Sequence, residues 1–507
     1  MKHSSFTKLI IALACYFVVT SMLFVFKPDN YGDGTEYHLM TESFINHLSP
    51  EQRNDDNLQL AKAAEEAGWK TNFFNTHRYG GYFEAKNGNL YSYHFWLFPL
   101  LVVPVRLILE FFNFNSLMSF QVFNAILFSL LSMFIVKSYS KNLFLIWALT
   151  VVNISLFFLH WNHPEFWTYC LVITSLILFF DKKKTLPSVF LSAMASTQNP
   201  PIIFLSLFYS GYYLFKLIQD KITIKEKIKK VFLLIIFFSI AFLPFIFFYI
   251  NFDTLNLIHK TGYSDFSLIS PKRILELFFD PGIGIFFFSP ILTLVVFVLP
   301  VFSIWKILKF ANRNGVKIYE IANLDYTKYV LLFLVLIVML AFASSTTNWN
   351  HGTYGPSRYV IWSVLPVSVF YAIEVLKKLQ DSVRNSLYKL FKYLLYISIL
   401  YSTILLILGS MLLPKFKLNL GNGGFIIFQR LVMEVAAPIY NPTTQIFKDR
   451  AKCRQDLYDC QNLFVYFSGD KCKKALVKVG YEDVMFDVCK LNGIKNVCYD
   501  EYCYYSF

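Results

Sequence analysis

Residues 9–26, 231–250, 284–305, 329–345 and 393–413 contain no charged side chain. No other feature of the sequence restricts the fold so strongly. A run of about 20 apolar residues is long enough to cross the hydrocarbon of a bilayer as a helix, and lipid offers no partner to an unpaired backbone group. Residues 118–136, 143–159, 166–180 and 359–373 have the same character. Hydrophobic residues make up 56% of the 507 and aromatic ones 19%, richer than an ordinary soluble domain, so composition points the same way.

The formal net charge of +14 raises the question of a nucleic-acid partner. The lysines and arginines instead gather between apolar runs, at 137–141, 182–184, 216–230, 306–317 and 377–392. The positive-inside rule accounts for such clusters as cytoplasmic loops, and no nucleic acid is required. The first apolar run follows Lys2 and Lys8 with no small-residue cleavage site after it, which reads as an uncleaved signal anchor with its N-terminus inside. Residues 93–113 carry His94, Pro99, Pro104 and Arg106 and are expected to lie at the outer interface or to re-enter rather than cross. Residues 187–216, basic at both ends, must go out and return, with the break at Asn199-Pro200-Pro201. The count is about eleven crossings, N-terminus inside and C-terminus outside.

This topology collects the polar, aromatic and Gly/Pro-bearing segments on one face: 31–89, 161–165, 198–201, 251–284, 346–359 and the C-terminal tail. The spans themselves hold almost no polar residues, whereas a channel or carrier needs them there. The working face is therefore expected outside.

Several groups on that face could carry chemistry. Glycines flank Asp33 in Tyr31-Gly32-Asp33-Gly34-Thr35-Glu36, so the backbone can turn sharply and leave a carboxylate at the membrane boundary as a general base. The plain alternative is a capping Asp in an acidic loop, since residues 27–90 hold ten Asp or Glu against six Lys or Arg. Asp33 and Glu36 also suit Mg²⁺ or Mn²⁺, although two acids three apart do not demand a cofactor. Arg358 opens an apolar helix after Asn348-Trp349-Asn350-His351-Gly352-Thr353-Tyr354-Gly355-Pro356-Ser357. A guanidinium there suits a phosphate hanging from a membrane-embedded tail, although an arginine can also merely snorkel to headgroups. His351 and Tyr354 share that loop. Lys272 and Arg273 could add charge for a phosphate, or be ordinary basic residues of an interfacial helix. Glu165 follows His163-Pro164 at a helix start, where an acid also complements the helix dipole. His77 and Arg78 sit in the first loop, placed to pack over a substrate. P-loop, dinucleotide-binding and zincin signatures are absent from the sequence.

Cys453, Cys460, Cys472, Cys489, Cys498 and Cys503 crowd the tail, whereas Cys15 and Cys170 lie in apolar runs. Six cysteines in a polar segment suggest disulfides and an oxidising compartment; a zinc cluster is the alternative, without a histidine or a C-x-x-C spacing to support it. Six cysteines admit fifteen pairings, and spacing favours none.

The chain resembles the GT-C integral-membrane glycosyltransferases, which include protein mannosyltransferases and the enzymes that add aminoarabinose to lipid A. The likeness rests on Gly32-Asp33-Gly34-Thr35-Glu36 after the first helix and on Asn87-Gly88-Asn89-Leu90-Tyr91-Ser92-Tyr93-His94 before a Pro-containing apolar segment. It rests also on Pro281-Gly282-Ile283-Gly284-Ile285-Phe286 leading to Ser289-Pro290, and on Tyr354-Gly355-Pro356-Ser357-Arg358-Tyr359. It covers residues 1 to about 375. It departs where many relatives have paired prolines and this chain has His94-Phe95-Trp96, and in a tail that matches no domain of that family. The resemblance implies inverting transfer of a sugar from a polyprenyl-phosphate donor, with Asp33 as base and Arg358 on the donor phosphate.

The expectation is thus an all-α polytopic membrane protein, GT-C-like over 1–414 with its first extracytoplasmic loop at 27–90, followed by a small Cys-rich extracytoplasmic domain at 415–507. It would act in a bacterial inner or plasma membrane on a glycan, lipid or protein acceptor, in contact with membrane lipids. Two rivals stand beside it: a ligase that moves a whole oligosaccharide from a lipid diphosphate, and a non-enzymatic lipid or polysaccharide export protein.

Overall fold

A computed structural model describes residues 2–28, 32–69, 81–312, 316, 318–349, 355–381, 385–412, 426–451, 461–469, 471–490, 493–499 and 501–507. Helix dominates. In chain order the helices are α1 (Lys2–Phe24), α2 (Gly34–His47), α3 (Asn54–Glu66), α4 (Leu97–Phe111), α5 (Ser119–Ser138), α6 (Leu143–Val151), α7 (Glu165–Phe180) and α8 (Thr185–Ser196). They continue with α9 (Ile203–Gln219), α10 (Ile224–Ser239), α11 (Leu243–Phe252), α12 (Leu257–Lys260), α13 (Pro271–Phe279), α14 (Pro290–Ala311), α15 (Ile318–Asn323) and α16 (Asp325–Ala343). The last are α17 (Arg358–Trp362), α18 (Val364–Gln380), α19 (Asn385–Leu412), α20 (Ile427–Ala436), α21 (Thr444–Arg450) and α22 (Glu482–Cys489).

Among the described residues, eight stretches are long and apolar enough to cross a membrane: Ser5–Phe24, Ser116–Ser138, Pro200–Gln219, Ile224–Phe252, Pro290–Ala311, Asp325–Ala343, Arg358–Gln380 and Ser386–Leu408. Leu143–Phe158, Glu165–Phe180 and Thr185–Ser196 are apolar but shorter. Large hydrophobic side chains such as Leu13 and Phe17 of α1, Phe232 and Ile235 of α10 and Val298 and Val301 of α14 lie bare on the outside. Water would penalise such a surface heavily; a bilayer does not, and the chain reads as a membrane protein. Helices α7 and α18 run through the centre, where Phe166, Ile173, Leu365, Phe370 and Ile373 are fully buried.

Helix α4 falls within residues 93–113, the segment expected not to cross. It has 15 residues, about 22 Å at the usual rise, and Arg106 within it bonds Glu42 of α2 at 2.7 Å and Glu110 at 2.7 Å. Between α8 and α9 the chain turns at a short helical stretch, Pro200–Ile202, where two prolines start the next helix without needing their missing N–H groups. Lysine-bearing helix ends meet at one end of the bundle. There Lys377 bonds Asp181 at 2.5 Å and Glu374 at 2.6 Å, and Lys183 lies 3.8 Å from Asp325.

Strands occur at two places, one of which corrects the expectation of an all-α membrane domain, while the other lies in the tail, for which the sequence implied no particular secondary structure. In the first loop, strands β1 (Tyr82–Glu84) and β2 (Leu90–Ser92) form an antiparallel pair. In the tail, β3 (Leu463–Ser468), β4 (Lys471–Lys478), β5 (Ile494–Tyr499) and β6 (Tyr502–Ser506) form a sheet in the order β3-β4-β6-β5, antiparallel throughout. Side chains alternate across that sheet: Cys503 and Tyr505 pack on α22, and Tyr504 between them packs with Met433 of α20 and Phe447 of α21. Cys472 pairs with Cys489 and Cys498 with Cys503 at disulfide distance. Cys453, Cys460 and the expected domain boundary at 414/415 lie outside the described residues.

The tail is fastened to α13. Glu276 accepts hydrogen bonds from the Trp349 ring at 2.8 Å and from the Thr443 backbone and hydroxyl at 2.6 Å each. Tyr440 OH donates to Asp280 at 3.0 Å, and Gln445 accepts from the Trp349 backbone at 2.7 Å.

Candidate active site

The site grows from the start of α2. Gly32 has φ +48, a conformation that side chains disfavour, and it delivers Asp33 to the residue before the helix. A Cβ on Gly34 would lie 2.1 Å from Asn162 Nδ2, so only glycine lets α2 begin against the 160–165 junction. Glu36, one turn on, is buried. Gly81 crosses so near that a Cβ there would lie 1.9 Å from Glu36 Oε1. The strand pair brings in the other wall: Ser92 Oγ, at the end of β2, donates to Glu36 Oε2 at 2.9 Å and accepts from the His94 backbone at 3.0 Å. Tyr93 OH donates to Asp33 Oδ1 at 3.4 Å.

His94 stands between the two acids, its Nε2 at 3.3 Å from Asp33 Oδ2 and 3.8 Å from Glu36 Oε2. Tyr37 stacks on its ring at 5.0 Å. From the far end of the sequence, 325 residues away, Arg358 brings Nη1 to 3.5 Å from Asp33 Oδ2 and 4.0 Å from Glu165 Oε1. Its position follows from the turn before α17. Ser357 Oγ caps that helix by accepting from the Tyr359 backbone at 3.2 Å, and the Ser357 N–H donates to the Ile283 carbonyl at 2.8 Å. Glu165, first residue of α7, is buried, and its Oε2 has no hydrogen-bond partner among the described residues.

The two acids titrate in opposite directions. Burial, the largest influence on Glu36, pushes it up to about 7; His94 opposes this and the Asp33 charge adds to it. Burial also acts to raise Asp33, but the close approach and charge of His94, with Arg358 and His163, outweigh it and hold the group well below the carboxylate range. Burial acts to lower His94, and the neighbouring Asp33 and Glu36 carboxylates raise it overall. Acids whose environments drive them apart are how one site keeps a base and a proton donor at the same pH.

The donor atoms of Asp33, Glu36 and His94 all lie within 4.8 Å of one another, close enough to share a divalent cation. A histidine ligand must be neutral, and the carboxylates raise the pKa of His94, so a cation here would compete with a proton.

Of the residues singled out by sequence, Asp33, Glu36, Arg358 and Glu165 therefore come together. Lys272 and Arg273 have other engagements. Arg273 Nη1 donates to the carbonyls of Ser344 and Thr346 at 2.8 Å each, and Lys272 Nζ lies 3.3 Å above the Tyr499 ring of the tail. Lys272 thus touches the tail, and Arg273 the segment after α16. His77, Arg78, His351 and Tyr354 lie outside the described residues. Sequence reasoning gave no chemical role to His94 or Tyr93; a histidine two residues past a serine at the end of a short strand was the available signal. Comparison with known proteins found no family model, no curated protein and no solved structure that matches the chain.

Proposed function

We propose that the chain is a membrane glycosyltransferase of the GT-C type that transfers one sugar from a polyprenyl-phosphate donor to a hydroxyl of a glycan, lipid or protein acceptor. The observation that carries this reading is the guanidinium of Arg358 3.5 Å from the Asp33 carboxylate, in a site beside candidate spans. A base and a phosphate-binding cation within one substrate's length are what sugar transfer from a lipid phosphate needs. In this reading the bundle crosses about eleven times with the lysine clusters in the cytoplasm, which puts the site and the tail on the outer face.

Asp33 takes the proton of the acceptor hydroxyl as its oxygen bonds to the anomeric carbon, and the bond from that carbon to the phosphate oxygen breaks. Attack from the side opposite the leaving group inverts the anomeric configuration. Arg358 offsets the charge that collects on the departing phosphate. His94 holds Asp33 anionic, and Glu165 helps hold the guanidinium. A divalent cation held by Asp33, Glu36 and His94 would supply further positive charge toward phosphate oxygens, which favours, as the second reading, a ligase using a lipid-diphosphate donor.

The test is mass spectrometry of surface glycans and lipids with and without the gene, together with purified protein and a polyprenyl-phosphate sugar. Gain of one sugar per turnover supports the transferase, and block addition supports the ligase. Transport without covalent product makes it an export protein. Asp33→Asn should lower turnover by about 10²- to 10⁴-fold while membrane insertion is unchanged, and retention of most activity would remove Asp33 from the chemistry. Arg358→Ala should raise the KM for donor and leave that for acceptor nearly unchanged.

A further inference from the structure

Helix α20 has three faces. Successive residues turn through about 100°, which puts Gln429 and Met433 on a buried side, Met433 against the tail sheet and Gln429 against Gly282 and Tyr440, and Arg430 and Glu434 on a charged flank. Glu434 is tied to the sheet by Tyr466 OH at 2.8 Å and by Lys473 at 3.6 Å. The third face is apolar and bare: Ile427 is 63%, Leu431 63% and Val435 78% exposed, and Ile439 after the helix is 81% exposed. A membrane-domain helix set at that position would hide such a stripe in the bundle, but α20 lies at its edge.

Its depth is fixed by what it touches. The Phe428 ring packs on Phe287 at 5.6 Å and Phe288 at 5.5 Å, immediately before the stretch Pro290–Ala311. Phe287 is also bound through its carbonyl by Tyr401 OH at 2.6 Å, from within the stretch Ser386–Leu408. Gly282 approaches so closely that a Cβ there would lie 2.3 Å from Gln429 Nε2. The stripe is thus level with the end of two candidate spans, and Leu275 and Phe279 of α13 and Leu294 of α14 are bare apolar residues too, with Phe279 packed on Phe286 at 5.9 Å.

We infer that the Ile427, Leu431, Val435 and Ile439 stripe lies in the boundary layer of the bilayer, making α20 an interfacial helix that seats the disulfide-bearing tail on lipid. The occupant is lipid rather than a second copy of the chain. Four residues on one short helix fall far below the roughly 800 Å² that each partner of a stable protein interface buries, and Phe428 of the same helix packs on Phe287 and Phe288 at the start of a candidate span. An apolar stripe beside a charged flank on a single helix is the pattern of helices that lie in the plane of the membrane surface. Lipid and Glu276 then hold the tail from two sides, beside the turn that carries Arg358. The stripe has no part in the chemistry proposed above, and this inference does not depend on it.

The experiment uses the full chain in phospholipid nanodiscs, with the photoreactive residue benzoylphenylalanine introduced in turn at positions 431 and 435. Position 294 on α14 serves as the lipid-facing control. Position 494 on β5, where Ile494 is 75% exposed, serves as the water-facing control. All four side chains point out of the fold, so none of the substitutions disturbs its packing. Phospholipid adducts, read by mass spectrometry, should form at 431 and 435 within about twofold of the yield at 294 and about tenfold or more above that at 494. Adducts to a second copy of the chain, or yields at 431 and 435 as low as at 494, would overturn the inference.

Discussion

His94 Nε2 lies 3.3 Å from Asp33 Oδ2, the same oxygen that Arg358 Nη1 approaches to 3.5 Å. The pair divides the work of holding an anion in a largely buried place. In the proposed reaction Arg358 turns to a phosphate, and His94, whose contacts with Asp33 and Glu36 raise it above its ordinary value of 6.5 against the effect of burial, is another basic group beside Asp33 that favours its ionised form.

The consequence is a pH effect with a definite sign. Asp33 is depressed below 3.8, so its charge, and whatever stability that charge confers, is present above that value and lost only as pH falls far below it. His94→Gln keeps a hydrogen-bonding group and removes the positive charge. The acid limb of kcat/KM should then move to higher pH by about one unit or more, in line with the loss of one opposite charge beside a carboxylate. An unchanged profile would mean that His94 only packs against Tyr37.

Close approach at Gly34 gives a second, purely steric test. A Cβ there would lie 2.1 Å from Asn162 Nδ2, inside any tolerable contact, so Gly34→Ala must push α2 or the 160–165 junction and shift Asp33 relative to Arg358. A misplacement of about 1 Å costs on the order of 100-fold in rate. Asn162→Gly alone should cost less, and added to Gly34→Ala it should recover part of the loss, since residues in contact couple by about 0.5–3 kcal/mol. Strict additivity of the two changes in a kcat/KM cycle would show that Gly34 matters for some reason other than Asn162.

How much of this was legible beforehand differs by element. Uncharged runs such as 231–250 and 284–305 announce themselves, because lipid admits only segments that satisfy their own backbone. Asp33 and Arg358 could be named from glycines and position alone, but their approach across 325 residues is a property of packing that no local pattern encodes. Lys272 and Arg273 show the opposite failure. Their sequence position, on a short basic helix before a glycine-rich loop, fits phosphate binding as well as it fits their observed places over Tyr499 and against the Ser344 and Thr346 carbonyls. The tail sheet is not legible in the sequence, because the alternation Leu476-Val477 on β4 and Tyr504-Tyr505 on β6, each pair split between two cores, is short and interrupted by lysines.

The two cysteine pairs among the described residues of the tail should differ in what they contribute. Cys472 and Cys489 close a loop of 17 residues and Cys498 and Cys503 one of 5. In the chain-entropy view the first stabilises by about 3 kcal/mol and the second by about 2 kcal/mol. Cys489→Ser should therefore sensitise the tail to protease more than Cys498→Ser, with cleavage confined to residues after α20. Equal sensitivity would argue that strain or structure in the unfolded tail, not loop length, sets the contribution.

The junction between α13 and the tail carries its own pH dependence, opposite in sign to that of the active site. Asp280 is buried beside Glu276, and burial first, then the Glu276 charge, push it up to about 7; bonds from the Gly282 and Ile283 backbones and Tyr440 only partly oppose this. The folded chain thus keeps a proton that the unfolded chain, titrating near 3.8, has already released. Where the unfolded state binds fewer protons, stability falls as pH rises. The contribution of Asp280 is therefore fully present below about pH 4 and is lost as pH climbs to 7 and above. Amide hydrogen exchange in α20 and α21 should accelerate between pH 6 and 8 beyond the intrinsic base-catalysed increase. Asp280→Asn, which stays neutral and can still accept from both backbone N–H groups, should remove that excess while leaving exchange in α7 and α18 untouched. An excess that survives in the variant would assign the pH dependence to another group and leave Asp280 as a neutral structural acid throughout.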